Sequence, residues 1–177
     1  VVRDFGDKRF TKGTHILDVG CGNGKNMNYF KDKCNIVGID KSDSLTTICN
    51  SRGLNVCTAD ISNIPYPDNT FDHIICIAVI HHIDSEEKRI SAVNEMLRVL
   101  KPGGHILVTV WAYESDEYSK KKKFNLGDNI VSFGKENASR YYYIYNEIWF
   151  LNFMNSIQCS NKECMWERGN WNAIFVK

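Results

Sequence analysis

The run from Ile16 to Lys25 constrains this chain more than any other stretch of it. Ile16, Leu17, Asp18 and Val19 read as a buried strand. Gly20, Cys21, Gly22, Asn23 and Gly24 read as a turn, and Lys25 opens a helix. Glycine at every second position lets the backbone reach positive φ and brings it close to whatever lies beyond the strand. The N–H groups that follow then face an anionic or carboxylate-bearing ligand. A dinucleotide fingerprint needs its third glycine one place later. That place is Lys25, which argues against NAD or FAD.

The rest of the chain reads as repeated strand–helix units. Strands are expected at 15–19, 35–40, 54–59, 71–79 and 105–111, with the fourth almost wholly apolar, as a central strand covered on both faces should be. Between them lie helices near 24–30, one capped by Ser42 with Leu45, Ile48 and Cys49 inward, and one opened by Asp84 and Glu87 as a capping box. Ile90, Val93, Leu97 and Leu100 recur along that last helix at helical spacing, and Pro102 with Gly103 ends it. The pattern fails from Ala112 to about Tyr145, which reads as an insertion of loops and short helices (113–145). Residues 156–166 and 170–176 form an antiparallel hairpin around Gly169. Right-handed crossovers make this a doubly wound, mostly parallel α/β sheet of seven strands, Rossmann-like, in one domain over residues 1–177.

Composition excludes several classes. No apolar run approaches the roughly 18 residues of a membrane helix, and no signal peptide is visible. Seven cysteines stand singly inside apolar segments, which suits reduced thiols in the cytoplasm, and in the nucleus as a second compartment. Cys159 and Cys164 lack a following histidine, so no metal is expected. The chain begins at Val1 without methionine, and a native segment is expected upstream. A net charge of +1 gives no global pull on nucleic acid. The one basic block, Lys120–Lys123, fits a solvated loop or a phosphate contact.

The apolar-apolar-Asp-apolar-Gly-x-Gly-x-Gly pattern over 16–24 resembles motif I of class I S-adenosylmethionine (SAM) methyltransferases. Ligands of such sheets sit beyond the strands' carboxyl ends. Three acids fall there: Asp18, Asp40 (22 positions on, with Lys41 beside it) and Asp60. A carboxylate at Asp40 can accept both ribose hydroxyls. Asp60 can accept from the adenine amino group while Ile61 packs on the ring. The turn itself (Gly20, Cys21, Gly22, Gly24) and the end of the fourth strand (Ile77, Ala78) complete the expected cofactor set.

The segments Ile77–His82, Val110–Ala112, Arg98–Leu100, Arg140–Tyr142 and Gly169–Trp171 resemble the tRNA wobble-uridine methyltransferases, a family that includes a domain of an AlkB-like fusion protein of animals. The resemblance implies methylation of the 5-carboxymethyluridine carboxylate to its ester. It also implies binding of the tRNA anticodon loop and a small zinc-binding activator subunit. Strand-edge residues Asn55, Val56, Cys57 and Thr58, short and uncharged, could accept that subunit by β-augmentation. Ser132 and Phe133 stand where the family has a Pro-Trp pair, and Asn26 where an aromatic is common.

A carboxylate is already ionised near neutral pH, so the transfer needs alignment rather than a general base. Arg140 is the expected carboxylate clamp, by its bidentate fork. His81 or His82 is expected to touch substrate or cofactor, and Trp111 to stack on an extruded base. Tyr141 and Tyr142 carry weaker versions of that role, and His15, His73 and His105 look structural. A methyltransferase of small molecules, or a non-catalytic binding module on the same fold, fits the same motifs.

Overall fold

The computed structural model describes residues 1–114, 124–133 and 138–177. Helix α1 (Val2–Arg9) precedes β1 (His15–Val19), α2 (Lys25–Phe30), β2 (Asn35–Asp40), α3 (Asp43–Ser51) and β3 (Val56–Thr58). Then come β4 (Phe71–Ile77), a 3₁₀ turn (Ile80–His82), α4 (Glu86–Val99) and β5 (Leu100–Trp111). The remainder is β6 (Gly127–Phe133), β7 (Ala138–Ile144), α5 (Glu147–Asn155), β8 (Asn161–Glu167) and β9 (Asn170–Val176).

Seven strands form one sheet in the order β3-β2-β1-β4-β5-β9-β8. β3 to β5 run parallel, and β9 and β8 pair antiparallel at the far side. The strand order reverses between β1 and β4, which puts a crevice above their carboxyl ends. Alternate residues of each strand feed two cores. Leu17, Val19, Ile74, Val108 and Phe175 pack with α4 and α5 residues such as Met96 and Phe153, while Ile16, Ile75 and Leu107 pack with Met27, Phe30 and Phe5 on the other face. Truncating one of these wholly buried residues to alanine costs about 2–5 kcal/mol. Among the described residues no helix is long and apolar enough to cross a membrane.

Several local expectations change. In the described part of 113–145 the structure has an antiparallel hairpin, β6–β7, rather than loops and short helices. Its alternation is hard to read because polar residues occupy both faces. Helix α5 was not anticipated; Asn146 caps it by accepting from the Trp149 N–H at 2.9 Å. The α4 cap is Ser85, whose Oγ accepts from the Lys88 N–H, while Asp84 pairs with the Lys88 ammonium instead. The Ser42 hydroxyl bonds Ser44 and makes no backbone cap. Thr46 and Cys49 point inward from α3, whereas Ile48 is exposed. β3 is only three residues long and leaves Asn55 outside it, though it does form a sheet edge. Lys120–Lys123 lie outside the described residues.

Candidate functional site

The turn after β1 is fastened to the end of β2. The Gly20 and Cys21 N–H groups both donate to the Ile39 carbonyl, at 2.8 and 3.0 Å. The Gly22 N–H donates to Asp40 Oδ2 at 2.9 Å, and the Ser42 N–H donates to Asp40 Oδ1 at 3.0 Å. Asp40 therefore shapes the turn as well as facing the crevice, and each oxygen keeps a further lone pair.

All three turn glycines have φ between +57° and +77°. Two of them also leave no room. A Cβ on Gly20 would lie 2.4 Å from Val79 Cγ2, and one on Gly24 would lie 2.3 Å from Leu54 Cδ1. A Cβ on Gly22 would meet nothing within 4 Å. Gly22 thus faces open space, where a ligand can approach the backbone.

Asp18 lies beneath this turn, 1% exposed, and its Oδ2 has no hydrogen-bond partner among the described residues. Burial, with the Asp40 charge adding to it, pushes the Asp18 carboxyl up to about 7. Asp60 is exposed beyond β3, and its Oδ1 accepts from the Ser62 N–H at 2.8 Å and the Ser62 hydroxyl at 2.7 Å. Those two bonds hold it below the ordinary carboxylate range, with Lys41 contributing. Ile61, half-buried, packs against the larger core. Cys21 is buried, and burial raises its thiol well above the usual range, so it is a packing residue and not a nucleophile.

On the other side of the crevice β4 ends sharply. Ile77 packs partly into the smaller core. Ala78 takes a left-handed φ of +59° while its N–H donates to the Thr109 carbonyl. A non-glycine residue there costs about 1–3 kcal/mol and persists only where its surroundings demand it. The kink sends Val79 against Gly20 and delivers the 3₁₀ turn to the crevice rim.

The two histidines of that turn separate cleanly. His81 is fully buried, and its Nδ1 accepts from the Trp111 N–H at 3.1 Å, which puts its ring proton on Nε2. His82 is half-buried, and its Nδ1 donates to the Tyr141 carbonyl at 2.9 Å, which leaves Nε2 as the acceptor in the neutral ring. Burial first, then the Arg140 and Lys41 charges, hold His82 below the usual imidazole range, against the pull of the Tyr141 carbonyl. Arg140, on β7, is the chain neighbour of the Tyr141 whose carbonyl holds His82, and Lys41 follows Asp40 at the end of β2. Arg140 and Lys41 are both exposed.

Above the histidines sits a group of rings. Trp111 stacks on Tyr142 with centroids 4.5 Å apart and planes 14° apart; Phe124 lies 5.4 Å from Trp111, and His81 5.2 Å. The stacking partner of Trp111 in the structure is Tyr142, so the aromatic wall is built from both. Tyr142 and Phe124 carry more of this wall than sequence reasoning gave them. Arg89 was missed altogether, because a basic residue inside Glu86–Lys88 and its neighbours reads as a solvated helix face. Tyr141 and Tyr143 point to the opposite side of β7, toward Arg89. His73 and His105 stand at the far end of β4 and β5, opposite one another in register and distant from the crevice. Among the described residues no cluster of three or more metal-ligating side chains exists.

A seven-stranded sheet with this order, a glycine turn at its switch point and acids at three successive strand ends defines a class I SAM-dependent methyltransferase. Residues 17–108, more than half of the chain, match the family model described as a methyltransferase domain, and the chain belongs to that family. It is 43% identical over 123 residues to a Xenopus tropicalis protein named tRNA (carboxymethyluridine(34)-5-O)-methyltransferase alkbh8, a match covering 70% of this chain and 19% of that one. The match to an Arabidopsis thaliana protein of the same enzyme name covers 28% of its length, so this chain spans a minor part of either relative. Among solved structures, a SAM-dependent methyltransferase from Methanosarcina mazei superposes with a TM-score of 0.74 at 16% identity, covering 98% of this chain and 96% of the other. A chain from the complex of the Haloferax volcanii Trm112 methyltransferase activator with a methyltransferase gives 0.64 at 14% identity, covering 99% and 92%.

The residues fit SAM. A buried acceptor without a partner among the described residues, an open cradle at Gly22 and two further carboxylates suit a ligand that carries an ammonium, a ribose diol and an amino-substituted base.

Proposed function

We propose that this chain methylates the carboxylate of 5-carboxymethyluridine at the tRNA wobble position, yielding the methyl ester. The observation that carries the reading is the place of Arg140, next in chain to Tyr141, whose carbonyl holds His82, beside the Trp111–Tyr142 wall. A cation next to stacked rings suits a planar base bearing an anion. The name of the Xenopus relative supports the same substrate.

SAM, when bound, supplies a methyl group on a sulfonium, which leaves as a neutral thioether. The backbone of Gly20, Cys21, Gly22 and Gly24 and the Asp18 carboxyl would hold one end of it, Asp40 would receive the ribose hydroxyls, and Asp60 with Ile61 would take the adenine. Ile77 and Ala78, at the end of β4, would flank it. Arg140 then pairs with the substrate carboxylate, which is ionised at neutral pH and needs no proton removed. Neutral His82 presents an Nε2 lone pair, which suits an N–H of the base better than its carboxylate. That assigns the clamp to Arg140 and base recognition to His82, with buried His81 steadying Trp111. The rings exclude water from the transfer and keep the reacting atoms aligned.

Among the described residues the β3 edge, Val56–Thr58, pairs only with β2, and it is the docking strand we assign to a small zinc-binding activator subunit. A complex of a fold relative with an activator is consistent with this. The cytoplasm, with the nucleus as a second compartment, is the proposed site of action. The test is to incubate the chain with SAM, the activator and tRNA carrying unesterified 5-carboxymethyluridine, then digest to nucleosides. The wobble nucleoside should become one methylene heavier; an unchanged nucleoside in the presence of bound SAM would refute the substrate.

A further inference from the structure

Arg89 is 3% exposed, in the first turns of α4. Among the described residues it forms no ion pair, and its Nε has no hydrogen-bond partner. Its Nη1 donates to the Ile83 carbonyl at 2.7 Å, directly after the histidine turn. Its guanidinium carbon lies 3.9 Å over the Tyr143 ring centre and 5.9 Å from that of Tyr145. The Tyr141 hydroxyl, which donates to Asp128, is within reach of the same group. Three alternate residues from Tyr141 to Tyr145 thus face one buried cation, whereas Arg140 and Tyr142 project from the other side of β7.

A buried guanidinium that forms no ion pair among the described residues is an expensive way to fill space, and an apolar side chain of similar volume would pack there at lower cost. What the arginine adds is direction. One planar group grips the carbonyl that ends the histidine turn and, by its face, the strand to which His82 is bonded through the Tyr141 carbonyl.

Resting on the reading above, we propose that Arg89 is a positioning residue: it fixes β7 against the histidine turn and so sets Arg140 and Tyr142 in register with His82. Arg89→Met keeps the volume and removes the grip. It should leave SAM affinity, measured by calorimetry, within about twofold, because the glycine turn is built from other elements. At saturating tRNA kcat should fall about 100-fold, the scale of a misplacement near 1 Å. In ¹⁵N NMR the His82 ring should lose its Nδ1–H tautomer, and Arg89→Lys should restore part of both signals. An unchanged kcat and tautomer would overturn the proposal. A parallel loss of SAM affinity, melting temperature and kcat would overturn it too, since Arg89 would then only support the fold. If Arg89→Met does not fold, Tyr143→Leu against Tyr143→Phe decides. Only the leucine variant should lose kcat and the tautomer, and equal behaviour of the pair refutes the coupling. If the parent chain transfers no methyl to carboxymethyluridine, the substrate reading fails alone and the His82 tautomer still decides the role of Arg89.

Discussion

Alanine at Gly22 and alanine at Gly20 should fail in different ways, and the difference reads out the cradle. Both positions have positive φ, +57° and +68°, so each substitution carries about 1–2 kcal/mol of backbone strain. At Gly22 nothing more is added, because the new methyl meets nothing within 4 Å and the N–H bond to Asp40 survives. For a chain of this size that strain lowers the melting temperature by roughly 2–8 °C. The methyl stands where the ligand backs onto the turn, so SAM affinity should fall at least about tenfold, some 1.4 kcal/mol. At Gly20 the methyl would lie 2.4 Å from Val79 Cγ2, and relieving that overlap adds about 1–3 kcal/mol. Thermal melts and calorimetric titration with SAM separate the two effects. Gly22→Ala binding SAM like the parent would refute the cradle. Equal melting of the two variants would refute the packing argument at Gly20.

Arg140→Ala should leave SAM affinity unchanged while depressing methyl transfer by about 100-fold or more; single-turnover rates with labelled SAM check it, and parental rates would remove the clamp. Asp18 has a raised folded pKa, about 7 against 3.8, so its stabilising contribution is full below pH 4 and is lost as pH rises through 7. Urea midpoints of the ligand-free protein should therefore show Asp18→Asn gaining on the parent by a few kcal/mol between pH 5 and pH 8. His73 has the opposite sign. Burial among Phe5, Phe10 and His105 holds it down to about 4, so stability is lost as pH falls from about 6.5 toward 4. His73→Phe should flatten that acid limb, and an unchanged limb would show that other groups cause it.

How legible this was in sequence varied with the kind of interaction. The glycine turn and the acids at 18, 40 and 60 could be read because each acid lies within two residues of a strand's carboxyl end, where a doubly wound sheet receives its ligand. The sheet followed from them. The β6–β7 hairpin was not legible, since Asp128 and Asn129 on one strand and Arg140 on the other break the alternation. Helix α5 was hidden because Ile148, Trp149 and Leu151 are exposed and blur its apolar face. The roles of His81 and His82 needed the third dimension: the Trp111 N–H and the Tyr141 carbonyl, each far away in sequence, fix their opposite tautomers. Arg89 was invisible for the same reason, because the three tyrosines that bury it lie about fifty residues downstream.

Chemical lability of the transferred group tests the central claim most directly. The chain, its activator and methyl-labelled SAM would be incubated with tRNA that carries unesterified carboxymethyluridine, and the recovered tRNA treated with mild alkali. Methyl esters hydrolyse under those conditions, whereas methyl groups on base nitrogen, base carbon or ribose oxygen remain. Release of the label as methanol is the predicted result. Label that stays on the tRNA through the alkali would contradict carboxylate methylation.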